Sequence, residues 1–426
     1  MRHDAETGLR TRTIATDRPG KPTIFSGMDE FSMLETVITE TWREDAMELR
    51  QTKDMQTVRD ALRNLRELSR AEARTMPPLF YTSTDFHLLE REELFRKEWI
   101  CLGHIGEIPS PGDYFTTELV GEQILVSRDA NGQVNVLSNV CRHRGNLVAE
   151  GKGNRRSFVC SYHAWTYDLD GTLKTAPLMN SVKGFARSEC NLPQFQSEVW
   201  NSFIFVNLDG GADPLAPQLT TLDGILHNYH NEQRNLLHTD QAVWNTNWKN
   251  LNENFMEGYH LFATHPKTLQ PMTPTELCRK VPGEKRWTAY RSYYHPEFPP
   301  RGPFHEDMTE DEQRNTVLFN VFPCFVAAIA ANYTLYFCLR PAHVEKVAIR
   351  WGIAGFKTDP ADPGVISYVE LCNAFNSEDR VKLETLQMAQ NTRHYSSGPL
   401  APDDLEGTIW DFLQYMAKKL TSNSRD

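Results

Sequence analysis

NWKNLNENFMEGYHLFATHP, residues 247–266, is the stretch on which the reading of the whole chain turns. It has no proline before Pro266 and one internal glycine, Gly258, so a helix is expected from about Trp248 to about Ala263. On such a helix Asn250, Glu253, Asn254, Glu257 and His260 recur at three- and four-residue steps and share one face. Leu251, Phe255, Tyr259 and Phe262 take the other side, which reads as buried. The polar stripe lacks the Lys and Arg of a solvated face, which suggests a polar channel through a core. His265 follows His260 by five residues and can aim at the same point only if the helix distorts or ends between them; Pro266 favours an ending. Two neutral imidazoles plus a carboxylate from elsewhere form the facial set for non-haem Fe(II), with positions left open for O2 and substrate. The competing reading is a core histidine followed by a helix-end histidine.

A second donor pattern lies upstream. Cys141-Arg142-His143 and Cys160-Ser161-Tyr162-His163 each occupy a loop, one after the strand ending near Val140, the other after Phe158-Val159. A zinc site with two Cys and two His is the alternative to weigh. The pairing argues against it, because zinc ligands usually come as Cys with Cys and His with His. One Cys and one His from each loop suit a [2Fe–2S] cluster with both thiolates on one iron and both imidazoles on the other. Neutral imidazole in place of thiolate reduces the negative charge and raises the reduction potential. Gly145, Gly151 and Gly153 would let backbone N–H groups approach the cluster sulfurs.

The chain has 426 residues, room for about two to four domains with real cores. Hydrophobic (40%) and charged (24%) fractions are ordinary for a soluble globular protein. A formal net charge of −11 speaks against nucleic acid and against an anionic membrane surface as partners. The eight cysteines are scattered and too sparse for a disulfide scaffold, which points to a reducing cytoplasm. The first 20 residues mix Arg with Asp and Glu and carry no apolar core, so no signal peptide is expected. The most apolar run, Val317–Leu339, contains Asn320, Pro323 and Asn332 and reads as two buried strands turning near Ala331-Asn332, not a membrane span.

In order, residues 1–27 read as a mobile tail and 28–76 as a helical extension. One helix carries Phe31, Leu34, Ile38 and Trp42; the next carries Met55, Val58, Leu62, Leu65 and Leu68. Each has an apolar stripe that must dock on the body or on a neighbouring subunit. From about Gly112 the pattern becomes β, with a hairpin signal at Asn131-Gly132 and a turn at Asp168–Gly171, so 98–212 forms a small all-β domain. Residues 77–97 and 213–426 form the remaining domain. Helices are expected near 218–236, 248–263, 378–394 and 404–420, and strands near 286–294, 319–340 and 344–356. The fold class is α+β.

The two loops resemble a Rieske domain, and the two donor patterns in this order resemble the α subunit of the Rieske non-haem iron oxygenases, over about residues 78–426. The resemblance implies an antiparallel catalytic sheet flanked by helices, a [2Fe–2S] Rieske cluster on Cys141, His143, Cys160 and His163, and a mononuclear Fe(II) on His260 and His265. Glu257 stands where most of the family has an Asp that bridges electron flow from a neighbouring subunit's cluster. Glu there is similar to the branch with carnitine oxygenase. The third iron ligand is a distant carboxylate: Asp379 opens a helix after Ser377, a natural N-cap, and shares a face with Leu383, Leu386 and Gln390, whereas Glu378 points elsewhere. The family places its Asp ligand at a matching site; the alternative is that Asp379 merely favours the helix dipole.

No dinucleotide fingerprint is present: Gly151-Lys152-Gly153 lacks the third glycine and follows no βα unit. Electrons must therefore come from a separate NAD(P)H-dependent flavin/iron-sulfur reductase. The resemblance implies a mono- or dioxygenase using O2 on a small molecule, in a homotrimer. Resemblance to the carnitine, choline and betaine branch favours a quaternary ammonium or N-methyl substrate, with Trp287, Tyr290, Tyr293, Tyr294, Phe304, Tyr333, Phe337 and Trp351 as candidates for an aromatic box, although most of them read as ordinary core. An aromatic acid is the rival substrate, and an electron-transfer protein without oxygenase chemistry the rival class. A second histidine pair argues against the latter, since electron transfer alone needs one site.

Overall fold

The structure is a computed structural model and describes residues 53–421. The first expected helix, Phe31 to Trp42, lies outside the described residues. Helix α1 (Lys53–Glu67) follows the second expected stripe. Met55, Val58, Leu62 and Leu65 recur on one face, are almost fully buried, and join the core that holds Phe412, Met416 and Leu420 of the C-terminal helix. Each such side chain contributes roughly 1.5–3 kcal/mol. Gln414 Nε2 donates to the Leu65 carbonyl at 2.9 Å, which fixes the docking. Of the two docking options, α1 takes its own chain, so its stripe is not free to cover a contact between subunits.

Residues 100–207 hold ten strands in three antiparallel sheets. β2 (Asp113–Leu119), β3 (Glu122–Arg128), β4 (Val134–Ser138) and β5 (Lys152–Asn154) form one, in the order β4-β3-β2-β5. The β3–β4 hairpin turns at Asn131-Gly132 as expected, with Asp129 Oδ1 accepting from the N–H groups of Asn131 and Gln133. β6 (Phe158–Val159), β7 (Thr166–Tyr167) and β8 (Leu173–Thr175) form a second, smaller sheet. β1 (Ile100–His104), β10 (Phe203–Asn207) and β9 (Gln196–Trp200) form the third. Gly153 pairs with Tyr114 inside the β2–β5 ladder, so it is a strand residue and not the cluster-facing glycine expected from sequence.

The body is a seven-stranded antiparallel sheet of order β11-β17-β16-β15-β14-β13-β12. Its strands are β11 (Asn235–Trp244), β12 (Cys278–Val281), β13 (Trp287–Tyr293), β14 (Asn315–Val321), β15 (Phe325–Ile329), β16 (Tyr333–His343) and β17 (Lys346–Gly355). The apolar run at 317–339 belongs to three strands, not two, with a further turn at Phe322–Cys324. β15 and most of β16 and β17 are buried on both faces, which explains why the run does not alternate. On one side Phe203 of β10 meets Phe325 and Tyr336 at ring-centroid distances of 4.6 and 5.0 Å. Of the helix expected over 218–236 only Thr220–Leu226 is α-helical, and β11 begins at Asn235.

The opening stretch departs from expectation. Helix α2 covers Trp248–Phe255 and stops; α3 is the single turn Leu261–Thr264. The break has local causes. Glu257 Oε2 accepts from the N–H groups of Tyr259 and His260, and Thr408 and Thr275 hydroxyls donate to the Met256 and Gly258 carbonyls. A Cβ at Gly258 would collide with Cys278 Sγ, so only glycine allows this approach to β12. With the helix broken, Tyr259 and Phe262 are about half exposed (46% and 51%), against the expected buried face, and Leu251 alone of that set is deeply buried.

Helix α4 runs Pro363–Gln390, much longer than the expected 378–394, with Asp362 as its N-cap. Ser377 is therefore no cap; its hydroxyl donates back to the Asn373 carbonyl at 2.8 Å. Asp379, Leu383, Gln387 and Gln390 face inward, whereas Leu386 is exposed. Helix α5 (Asp403–Thr421) closes the described chain and packs on α1, β12 and β13. Among the described residues no helix is long and apolar enough to cross a membrane.

Candidate metal centres

The two Cys/His loops are built alike. In each, the residue four after the cysteine donates its N–H to the cysteine carbonyl at 3.0 Å, from Gly145 in one and Ala164 in the other, both with positive φ. In each, the cysteine N–H closes the loop five residues on, to Asn146 and Trp165, at 2.8 Å. Cys141 and Cys160 are buried, while His143 and His163 lie outward with Nδ1 atoms 3.1 Å apart. His143 stacks on Trp165 at 5.0 Å and 9°. The Tyr167 hydroxyl lies 3.3 Å from Cys141 Sγ and accepts from the Arg142 N–H. Burial pushes the Cys141 thiol up. Burial also opposes ionisation of Cys160, but N–H groups of Tyr162 and His163, with the neighbouring thiol, hold it below the ordinary value. Among the described residues, the sets of three or more donors within 4.8 Å of one another do not include these four. Thiol pair and imidazole pair are thus separate, which fits two irons and not one tetrahedral zinc.

The second centre lies where α2, α3 and α4 meet. His260, His265 and Asp379 place one donor atom each within 4.8 Å of the others. Asp379 Oδ1 is 3.0 Å from His265 Nε2 and 3.6 Å from His260 Nε2. His260 Nδ1 is held by Glu257 Oε1 at 2.5 Å, and His265 Nδ1 by Glu378 Oε2 at 2.7 Å. Those carboxylates take the ring N–H groups, so both Nε2 atoms present lone pairs to a carboxylate oxygen. His265 Nε2 and Asp379 Oδ1 are buried without a hydrogen-bond partner despite their 3.0 Å approach. Imidazole and carboxylate atoms converging without a partner call for a cation, a metal ion or, in its absence, a proton. Burial works against a charged His260, yet Glu257, with Asp379 and Glu406 adding to it, outweighs burial and holds the imidazole above its ordinary value. Glu378, expected to point elsewhere, is the carboxylate behind His265, with the Thr268 hydroxyl donating to it at 2.6 Å. Spacing gave no sign of this role.

These donors open into a cavity of about 120 Å³. Six aromatics line it: Trp244, Phe255, Tyr290, Phe337, Tyr368 and Phe375. Of the eight aromatics singled out in the sequence only Tyr290 and Phe337 are among them; Trp287 and Trp351 are core. Among the described residues lining the cavity there is no Lys or Arg, and apart from Tyr290 and Tyr368 its ionisable groups are Glu257, Asp379 and the two histidines.

The polar stripe of α2 is not one channel. Asn250 pairs with Gln387 and Gln390, while Glu253 is half-buried, with the Tyr81 hydroxyl 3.1 Å from both its oxygens. Burial raises Glu253 to about 8. A carboxyl raised in the fold contributes stability in full below its unfolded value and loses it as pH rises through 8, at up to about 1.4 kcal/mol per pH unit for one proton. Glu253→Gln is therefore expected to flatten the fall of the thermal midpoint between pH 5 and 8.5. Parallel curves for variant and wild type would refute the assignment.

Residues 98–186 match the Rieske [2Fe-2S] domain family, and residues 226–422 the catalytic domain of ring hydroxylating alpha subunits. The carnitine monooxygenase oxygenase subunit of Acinetobacter baumannii is 34% identical over 195 residues, 45% of this chain and 53% of that protein. The glycine betaine monooxygenase oxygenase subunit of Pseudomonas aeruginosa is 33% identical over 205 residues, 48% of each. The chain thus spans about half the length of the curated relatives it matches. The solved quaternary ammonium Rieske monooxygenase CntA superposes with a TM-score of 0.75 at 25% identity, covering 85% of this chain and 98% of that one.

Proposed function

The chain belongs to the Rieske non-haem iron oxygenase α subunits, and from that premise we propose that it is the terminal oxygenase of a two-component system acting on a quaternary ammonium or N-methyl compound. The single observation carrying the reading is the aromatic cavity into which His260, His265 and Asp379 turn their lone pairs. Cys141, His143, Cys160 and His163 hold the [2Fe–2S] cluster, and His260, His265 and Asp379 the mononuclear iron. Bound there, the cluster supplies single electrons and the ferrous ion binds and activates O2. Glu257 fixes the His260 ring through Nδ1 and lines the cavity, which suits it to bridge the two centres. Glu378 and Thr268 fix His265 in the same way. Electrons come from a separate reductase, in keeping with the relatives' names as oxygenase subunits. The working unit is a cytoplasmic homotrimer, a closed ring in which one subunit's cluster serves its neighbour's iron.

Electrostatics favour the ammonium substrate over an aromatic acid. Aromatic faces attract a cation by about 0.5–2 kcal/mol each. A carboxylate in the same cavity would meet Glu257 with no Lys or Arg among the described lining residues, and only the iron, whose charge Asp379 partly offsets, would draw it. With a surrogate reductase, substrate-dependent O2 uptake should give kcat/KM at least about tenfold higher for the best trimethylammonium or N-methyl compound than for any aromatic acid. The reverse order would overturn the substrate reading.

Glu378→Ala tests the iron site from behind. Losing the carboxylate that orients His265 should weaken iron retention about 10- to 100-fold against a chelator while the cluster's visible spectrum stays unchanged. Unaltered retention would show that Glu378 orients nothing.

A further inference from the structure

We propose that His230, His305 and Asp307 form an additional metal site, separate from both iron centres, that takes a divalent transition ion of the zinc type and staples the β13–β14 connection to the body. They are the second of the two sets of three donors within 4.8 Å among the described residues. Asp307 Oδ2 lies 2.8 Å from His230 Nε2 and 3.4 Å from His305 Nδ1. Two ligands held at the usual zinc distances in a tetrahedron stand roughly 3.3 Å apart, so these spacings suit one shared ion. The imidazoles lie with centroids 3.7 Å apart.

Two carboxylates facing one imidazole favour a cation there, a metal ion or, in its absence, a second ring proton. His230 has carboxylates at both nitrogens, Glu232 Oε1 at 3.1 Å from Nδ1 and Asp307 at Nε2, with the Gln233 amide also 3.2 Å from Nδ1. A neutral ring has one N–H to give. His305 Nδ1 meets only a weak contact from the Asp307 N–H at 3.3 Å, which an ion between it and Asp307 Oδ2, 3.4 Å away, would replace. With its N–H given to Glu232, His230 would face the same oxygen with its Nε2 lone pair. A carboxylate behind a ligating imidazole is also what the iron centre has in Glu257 and Glu378. His230 is pre-set by the backbone: it sits at φ 44 between two short 3-10 turns, His227–Tyr229 and Asn231–Gln233. Two imidazoles and one carboxylate select zinc, cobalt, nickel or copper over calcium and magnesium, and leave a position for water.

The staple has something to hold. The segment it pins begins at Tyr294 and His295, and the His295 N–H is tied to the carbonyl of Met272, a cavity-lining residue, at 2.8 Å. Arg314 donates to three of the segment's carbonyls only at 3.3–3.4 Å.

The test uses full-length protein with both iron centres filled in every form except His260→Ala, which keeps only the cluster. After incubation with zinc chloride and removal of excess, wild type should carry about one zinc per chain more than His305→Ala or Asp307→Asn, at equal iron content and equal cluster absorbance, and its thermal midpoint should rise by a few degrees with zinc where theirs does not. Cobalt in place of zinc should add a visible d–d band to wild type alone. Glu232→Gln should weaken zinc binding about 10- to 100-fold. His260→Ala should keep the extra zinc. Equal zinc in wild type and both ligand variants overturns the proposal, and so does loss of the extra zinc in His260→Ala, which would place it at the cavity. Cluster absorbance reports that each variant is folded.

Discussion

Replacing Cys141 or Cys160 by alanine is expected to turn a red-brown protein colourless and to abolish turnover. Iron should fall from about three per chain to about one, since two irons leave with the cluster. Without the electron store, steady turnover should drop about a thousand-fold or more, equivalent to roughly 4 kcal/mol of barrier. The loops should survive the loss of the thiolate, because the Gly145 and Ala164 N–H groups bond to the backbone carbonyls of residues 141 and 160, not to side chains. A folded variant that no longer absorbs visibly is thus the expected product, checked by circular dichroism and iron analysis. A wild type that carries stoichiometric zinc and no colour would sink the cluster assignment. A variant that keeps its colour and all its iron would sink the cysteine assignment.

Asp379→Ala is expected to remove the mononuclear iron alone. Iron should fall from about three to about two per chain, the visible spectrum should stay, and substrate-dependent O2 uptake should disappear. The side chain has little structural work to do. It sits well inside α4, which starts at Pro363, so it cannot be stabilising a helix N-terminus. Its Oδ1 is buried without a hydrogen-bond partner, an arrangement that costs about 1–3 kcal/mol when no cation is present. The iron-free variant should therefore be at least as stable as the iron-free wild type, and calorimetry on both checks it. A variant that loses activity because it unfolds several degrees lower would return Asp379 to the structural role.

Much of this was legible in the chain as letters. The mixed C-x-H and C-x-x-H loops proposed their four donors from spacing alone, and the two loops are built alike in the fold because their closing hydrogen bonds are local. The stripe through Glu257 and His260 likewise pointed at the second centre, and Asp379 was found through a periodicity that survived even though its helix began at Pro363 instead of near Glu378. The hairpin at Asn131-Gly132 and the stripe of α1 were local patterns too. What the letters did not contain was direction. On an unbroken helix His265 faces away from His260; it reaches the same point because the turn Leu261–Thr264 ends at His265, whose backbone leaves the helical region, while the break at Met256 and Gly258, whose carbonyls are taken by hydroxyls from residues 408 and 275, sets where His260 stands relative to α2. Glu378 turns to His265, and Trp244 and Phe375 enter the cavity, for the same kind of reason. Their positions follow from where β11 and α4 lie against α2 and α3, contacts between residues far apart in sequence that no periodicity encodes.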